Sequence, residues 1–251
     1  MNSELIQRAA KDLTDAEMAV AMTGAGISVE SGIPPFRGKG GLWEKIDPVK
    51  YAHIDSFMKD PAEVWNVLIK EMKNVLDRAK PNPAHLGLAK MEQAGILKTI
   101  ITQNVDGLHQ AAGNSDVIEF HGNFAWQRCI KCGKKQKTEE IDMSTIPPQC
   151  TCSGILRPDC VFFGETIPDS ELTRSRQISA ECDLMLVIGT SAEVQPAAYM
   201  PVIAKRNGAT IIEINPEPTL LTANTSDYLI QGEAGTIMEQ IVAKLKGIRK
   251  K

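Results

Sequence analysis

Apolar and polar residues fall along this chain in two kinds of block. Short aliphatic or β-branched runs recur at Met18–Met22, Thr99–Thr102, Val117–Phe120, Leu184–Ile188 and Thr210–Ile214, and their near-continuous apolar character predicts strands buried on both faces. Between several of them apolar positions take helical spacing, at Asn2–Leu13, Pro83–Ala94 and around Ala197–Arg206. Strands alternating with helices predict an α/β fold, a parallel sheet with helices on both faces. Ligands of such sheets bind beyond the carboxyl ends of the strands. The residues expected there are Thr23-Gly24-Ala25-Gly26, Gln103-Asn104-Val105-Asp106, His121-Gly122, Gly189-Thr190-Ser191 and Asn215-Pro216, which are mostly small or polar.

Two segments break the alternation. Residues 40–80 carry helical spacing, and Asp60-Pro61 is a strong helix start because Asp can cap free N–H groups and Pro is tolerated in the first turn. A helical insertion over the cleft is expected there. Residues 124–157 are irregular and hold two close pairs of cysteines. The expected organisation is a sheet domain built from residues 1–39, 81–123 and 158–251, interrupted by the insertion and by a small metal-stabilised module.

The run Met22-Thr-Gly-Ala-Gly-Ile-Ser28 suits a bound phosphate. Gly24 and Gly26 let the backbone turn and approach a ligand with no Cβ in the way. With Ala25 they would present N–H groups, and a helix expected to begin near Ser28 would add its positive end to a pyrophosphate, making a dinucleotide the natural candidate. A plain strand-to-helix turn has the same Gly-x-Gly spacing, so the run gains weight only from its company.

Cys129-Ile-Lys-Cys132 and Cys150-Thr-Cys152 are that company. Each pair can bring two thiolates to one ion from a tight turn, and four thiolates close a tetrahedral zinc site with no position open for catalysis. Such a zinc holds a fold. The second pair encloses one residue where two are usual. Cys160 and Cys182 lie in apolar surroundings and read as buried structural thiols.

Composition narrows the class. The chain has 251 residues, 43% hydrophobic and 24% charged, which suits one large α/β domain with small insertions. A net charge of −3 gives no general basic footprint for nucleic acid or an anionic membrane, and Lys134–Lys137 and Arg249–Lys251 read as solvated. The first residues do not read as a secretory signal, no run is apolar enough to cross a bilayer, and paired cysteines suit a metal in a reducing compartment. A cytoplasmic protein is expected.

Gly24-Ala-Gly-Ile-Ser28 through Gly32-Ile-Pro-Pro-Phe-Arg-Gly38, Thr102-Gln-Asn-Val-Asp106, His121-Gly122, the cysteine pairs, Phe162-Phe-Gly-Glu165, Gly189-Thr-Ser191 and Ile214-Asn-Pro216 together resemble the sirtuin family. The match runs in order over nearly the whole chain. The resemblance implies a Rossmann-like domain with a zinc ribbon and a helical insertion, and an enzyme that consumes NAD to deacylate lysine side chains. In that family nicotinamide leaves as ribose C1′ gains oxocarbenium character, the acyl oxygen adds there, and an acetyl group ends as 2′-O-acetyl-ADP-ribose.

Roles follow by matching residues. His121 matches the base, since an imidazole titrating near neutrality can take a ribose hydroxyl proton. Asn104 and Asp106 match the pair that orders ribose, a water and the nicotinamide amide, with the Ile33 backbone completing the grip and Gln103 on the ribose. Gly24, Ala25 and Ser28 would hold phosphate opposite Gly189, Thr190 and Ser191. Phe36 would shield the reacting carbon, Arg37 reach phosphate or ribose, and Asn215 and Ala234 match the adenosine pocket. Val161, Phe162, Phe163, Gly164 and Glu165 would form one edge, and Ser191 to Val194 the other, of a slot where an acetyl-lysine peptide lies as an added strand. Phe162, Phe163 and Val194 are candidates for an apolar tunnel around the acyl-lysine. His53, His85 and His109 are expected to be structural.

The acyl group is read from the insertion. Relatives that remove succinyl or malonyl groups carry Tyr and Arg three and six residues after an aromatic, and alignment on Trp65 puts Leu68 and Glu71 at those places. Acetyl or a longer neutral acyl group is therefore expected. An ADP-ribosyltransferase using the same NAD site and a non-catalytic NAD-binding scaffold are the competing readings. Phe162–Glu165 argues against the first, and His121, Asn104 and Asp106 against the second.

Overall fold

In the computed structural model, which describes residues 2–36 and 40–245, the strands in chain order are β1 (Ala19–Thr23), β2 (Leu97–Thr102), β3 (Val117–Glu119), β4 (Gly122–Cys129), β5 (Lys135–Lys137), β6 (Leu156–Cys160), β7 (Leu184–Ile188), β8 (Thr210–Asn215) and β9 (Tyr228–Gln231). Six of them form one parallel sheet in the order β3-β2-β1-β7-β8-β9. The order reverses at β1, so the switch point where doubly wound sheets bind ligands lies between β1 and β7.

Period-two side-chain alternation splits the core into two layers. Ala19, Ala21, Leu186, Ile188, Ile212 and Ile214 pack against the helices Asn2–Asp15, Pro83–Gln93 and Ala234–Leu245. Val20, Met22, Met185, Val187 and Ile211 face the opposite layer, which includes the helix Met200–Arg206. Each central strand is thus buried on both faces, as its unbroken apolar run requires. The strands also finish level: Thr23 pairs with Thr102 and with Ile188, and Ile188 with Ile214. Gly24, Gln103 and Gly189 consequently leave the sheet along one line, level with Asn215, the last residue of β8.

The phosphate-loop helix differs from expectation. Instead of an α-helix from near Ser28, a 3-10 stretch spans Ala25–Ser31 and closes at Gly32. The Asn82 side-chain amide donates to Ile27 O at 2.7 Å, taking the carbonyl an α-helix would have paired with Ser31. Ile27 N–H donates to Gly24 O at 3.1 Å, the tighter winding. Asn82 also accepts from Ala84 N–H at 2.9 Å, which with Pro83 starts the helix Pro83–Gln93.

The two interrupting segments meet in a smaller lobe. β4 pairs antiparallel with both β5 and β6. Residues 48–76 form short helices, Pro48–Tyr51, Ile54–Lys59, Pro61–Val64 and Lys70–Leu76, with one π turn at Trp65–Ile69. Phe57, Val64, Trp65 and Ile69 from this segment share a core with Phe124, Cys160 and Phe162. Trp65 Nε1–H donates to Leu156 O at 3.0 Å, so the insertion is fastened to β6 at a fully buried point. No helix among the described residues is long and apolar enough to cross a membrane.

Candidate active site

At the switch point two turns interlock through backbone alone. Gly24 N–H donates to Ile188 O at 3.1 Å and Gly26 N–H to Gly189 O at 2.8 Å. A Cβ on Gly26 would lie 2.6 Å from Gly189 Cα, and one on Gly24 would lie 2.8 Å from Gly189 O. Gly189 itself has φ of 62°, where L side chains are strained. The floor of the phosphate cradle expected here is therefore backbone only, but the Gly24 and Gly26 N–H groups expected to face a phosphate are spent on Ile188 O and Gly189 O, so a pyrophosphate would depend on other donors. On the cradle's rim, Gln103 Nε2–H donates to Thr190 Oγ1 at 3.0 Å, while Ser191 is exposed. Glu30, at the end of the 3-10 stretch, accepts from Gly235 N–H at 2.5 Å and ties the cradle to the start of the last helix beside Ala234.

Ser28 is the hub of a buried polar network. Its hydroxyl donates to Asp106 Oδ2 at 2.7 Å and accepts from Asn104 Nδ2–H at 3.2 Å, and the same Asn104 amide donates to Gly24 O at 3.1 Å. His85 Nε2 lies 3.5 Å from the same hydroxyl. His109 Nε2–H donates to Thr23 Oγ1 at 2.9 Å, and Thr23 in turn donates to Thr102 Oγ1 at 2.8 Å. His85 and His109, expected to be structural, reach Ser28 and Thr23 from within the core, with ring centroids 4.9 Å apart. Burial pushes the pKa of His85 down to about 4, and burial reinforced by His85 pushes that of His109 down to about 3. Both are neutral at pH 7. The Asp106 carboxyl is moved the other way, raised by burial against the opposing N–H of Leu108 and hydroxyl of Ser28.

His121 follows β3 and stands beside Gln103. Its Nδ1 lies 3.1 Å from Gln103 O, and a carbonyl only accepts, so Nδ1 carries the proton. In the neutral ring Nε2 then keeps its lone pair. Burial lowers the imidazole pKa, opposed by that same backbone bond. The next residue must be glycine: Gly122 has φ of 79°, and Asp159 O of β6 occupies the space of a Cβ. Val161 N–H donates to His121 O at 2.9 Å, which joins the histidine to the predicted substrate edge.

That edge is less open than the sequence suggests. Phe163 N–H donates to Ala52 O at 2.9 Å and Phe163 O accepts from Ile54 N–H at 3.0 Å, so the insertion already pairs with it. Phe162 is packed in the small-lobe core, 5.6 Å from the Phe57 ring, and only Phe163 of the two presents an exposed ring. The Glu165 carboxylate is turned inward, bidentate to Arg157 at 2.8 and 2.6 Å and accepting Phe162 N–H at 2.9 Å. Burial acts to raise the Glu165 pKa, but Arg157 and the Phe162 N–H outweigh it and hold the carboxyl low. Gly164 packs on the His53 ring, and Val194, expected on the other edge, is half-buried.

The loop expected to cover the cofactor begins with Ile33, whose N–H donates to Ser28 O at 3.3 Å. Phe36 stacks on Trp43 at 5.2 Å, and Trp43 lies 6.4 Å from Phe163. Arg37, expected to reach phosphate or ribose, lies outside the described residues. Arg157, His85, His109 and Trp43 all serve the site without having been singled out for it. Of these only His85 left a signal, standing at the third helical position after the Asn82-Pro83 cap.

The four cysteines converge as their pairing predicts. All four Sγ atoms lie within 4.8 Å of one another, with Cys129 to Cys152 at 3.6 Å and Cys132 to Cys150 at 3.8 Å. A tetrahedral zinc with Zn–S bonds of about 2.3 Å sets its sulfurs about 3.8 Å apart, so the set fits that ion. The one-residue spacing works because Ser153 takes φ of 62° and closes a turn onto Cys150 O, and Gly154 leaves room for Cys129 Sγ. Cys160 and Cys182 are buried away from it, with thiol pKa values raised by burial.

A doubly wound sheet with a side-chain-free cradle at its switch point, a lone-pair imidazole beside it and a four-thiolate lobe defines a dinucleotide-using enzyme with a structural metal. The family follows from comparison. A model of the Sir2 family matches residues 24–196, and the chain belongs to that family. It is 43% identical over 252 residues to an NAD-dependent protein deacylase of Pyrococcus furiosus, covering 98% of this chain and 100% of that protein. With an NAD-dependent protein deacylase of Aeropyrum pernix it shares 48% identity over 216 residues, 86% and 87% of the two chains. Among solved structures, a Sir2 homologue in complex with NAD superposes with a TM-score of 0.89 at 42% identity, covering 96% of this chain and 93% of that one. A Sir2 variant with a deacetylated p53 peptide and 3′-O-acetyl ADP-ribose superposes at 0.88 with 34% identity, over 95% and 98% of the chains.

Two outcomes follow from the site's chemistry. Cys129→Ala or Cys150→Ala removes one of four thiolates from a closed site, so metal analysis should find zinc lost and thermal unfolding a lowered midpoint; stoichiometric zinc in either variant contradicts the ligand set. Acid should also destabilise the fold early. Below pH ~6.5 the unfolded chain protonates histidines that the native state keeps neutral, so stability falls with pH by up to ~1.4 kcal/mol per unit for each buried histidine until the folded pKa is reached. Urea midpoints should drop between pH 7 and pH 5, with a shallower slope in His109→Gln; an unchanged slope would clear His109 of the effect.

Proposed function

We propose that this NAD-dependent protein deacylase acts as a protein-lysine deacetylase that releases nicotinamide and 2′-O-acetyl-ADP-ribose. The observation that carries the reading is the tautomer of His121. With Nδ1–H committed to Gln103 O, the free lone pair sits on Nε2 of a residue bonded through Val161 to the substrate segment, as a general base between cofactor and acyl-lysine requires. Bound NAD supplies a ribose carbon that becomes electrophilic as nicotinamide departs. Asp106 and the Ile33 backbone would grip the carboxamide, Asn104 and Gln103 order the ribose, and Ala25, Ser28, Gly189, Thr190 and Ser191 hold the phosphates, with Gly24 contributing close backbone approach because its N–H is bonded to Ile188 O. Asn215 and Ala234 flank the adenosine. Phe36, stacked on Trp43, excludes water from the reacting carbon. The peptide lies between Gly164 and the Ser191–Val194 turn, since the Phe163 backbone is taken.

Product masses test the reaction. An acetyl-lysine peptide with NAD should yield free nicotinamide and O-acetyl-ADP-ribose, whereas a peptide gaining ADP-ribose would identify a transferase. His121→Ala should lose about 10²- to 10⁴-fold in rate while keeping ADP-ribose affinity. A base works when neutral, and burial lowers the His121 pKa, so the acid limb of kcat/KM in the wild type should lie below pH ~6.5. Near-normal turnover by the variant would remove His121 from the mechanism.

Acetyl preference rests on the insertion. Glu71 helps line a 480 Å³ cavity that also touches Ile33, Phe36 and Met72, and we take this cavity as the one that receives the acyl end, where Glu71 would repel a carboxylate. Leu68, expected beside it, is instead 3% exposed in the core and does not line that cavity. Lys45 and Lys70 share the cavity, and they set how far the repulsion extends. Acetyl-lysine should exceed succinyl-lysine in kcat/KM. Glu71→Arg should narrow the gap by roughly ten- to a hundredfold, the worth of one charge-assisted contact. Equal rates on both substrates in the wild type would assign the reading of the acyl end to the lysines.

A further inference from the structure

We infer that Glu213 is a positioning residue for the adenosine end of NAD, acting through the loop between β8 and β9; the inference rests on the assignment of Asn215 and Ala234 to the adenosine pocket. Glu213 sits mid-strand in β8 with 1% exposure, between Ile212 and Ile214. Its carboxylate accepts from three hydroxyls of that loop: Thr219 at 2.5 Å, Thr222 at 2.6 Å and Ser226 at 3.0 Å. No lysine or arginine pairs with it among the described residues. An isoleucine would fill the same layer without desolvating a charge, so the carboxylate's contribution is directional: it fixes where three loop residues stand.

The loop so fixed bears on both adenosine segments. Leu221 plugs the core at 4% exposure and its carbonyl gathers the N–H groups of Asn224, Thr225 and Ser226 at 3.1, 2.8 and 2.9 Å. Asn215, two residues after Glu213 on the same face of β8, donates from Nδ2 to Glu217 O at 2.9 Å. Asn215 O accepts from Gly232 N–H at 3.1 Å, at the start of the turn that carries Ala234. Gln231 Nε2–H donates to Pro216 O at 2.8 Å and closes the circuit. Freeing the loop from Glu213 would let the Asn215 side chain lose its fixed direction, and the adenosine would then have to order it on binding.

The test is ADP-ribose affinity by calorimetry together with steady-state kinetics on the full chain. Glu213→Leu keeps volume and removes all three acceptors; it should weaken ADP-ribose roughly tenfold and raise KM for NAD in step, with kcat at saturating NAD and KM for the acetyl peptide within about twofold of wild type. Thr219→Val with Thr222→Val removes the donors from the other side and should reproduce the effect, which keeps the test open should the Leu variant not fold. A lowered unfolding midpoint with unchanged ADP-ribose affinity in these variants would reduce Glu213 to a packing residue and overturn the inference. Asn215→Ala separates the two failures. If it weakens ADP-ribose while the Glu213 and threonine variants do not, Glu213 alone is wrong; if it too binds normally, the adenosine assignment falls and takes this inference with it.

Discussion

Two turns built without side chains set the distances at the catalytic edge. Gly24 and Gly26 after β1 and Gly189 after β7 occupy each other's Cβ space, and a methyl group at any of them would push the turns apart. Because β1, β2 and β7 end level, that displacement would pass directly to Ser28, Gln103 and Thr190. The Ser28 to Asp106 bond spans the gap between the ends of β1 and β2, and the Gln103 to Thr190 bond reaches across the end of β1 from β2 to β7. Neither survives a shift much beyond the tolerance of a hydrogen bond, a few tenths of an ångström.

Magnitudes rank what holds the smaller lobe. Surface pairs such as Lys11 with Asp15 contribute little, because water screens both charges. The Arg157 to Glu165 pair is different, since Arg157 is only 3% exposed and breaking such a pair by removing one partner costs about 3–5 kcal/mol. β6 concentrates these connections: Leu156 O holds Trp65, Arg157 holds Glu165, and Asp159 takes Arg128 and Lys135. Metal lobe, insertion and the Phe162–Glu165 segment are therefore all fastened to one strand.

The parallel strands were legible because burial on both faces leaves an unbroken apolar run; β7 falls at Leu184–Ile188, where its residues put it, and β1 is displaced by one residue. The cysteine pairs were legible because ligand spacing is local. What escaped the pattern depends on partners far along the chain. The 3-10 stretch owes its winding to Asn82, and Phe163 is paired by Ala52 and Ile54. The helix Asp169–Glu181 buries only Ser175 and Ser179 fully and so shows no apolar stripe. His109 gives no local sign that it lies beneath Thr23, because its neighbour there arrives from β1.

The sheet order has a consequence for how the chain comes into being. β1 lies between β2 and β7, and its β2 edge can close as soon as Leu97–Thr102 is available, while its other edge waits for Leu184–Ile188. A ribosome adding about 5–20 residues per second leaves that interval measured in seconds. Through it the growing chain presents Ala19–Thr23 with one row of backbone donors and acceptors unpaired, a template for any passing strand. The whole metal lobe is made within the same interval, so it can acquire its ion before the sheet that carries the active site is complete.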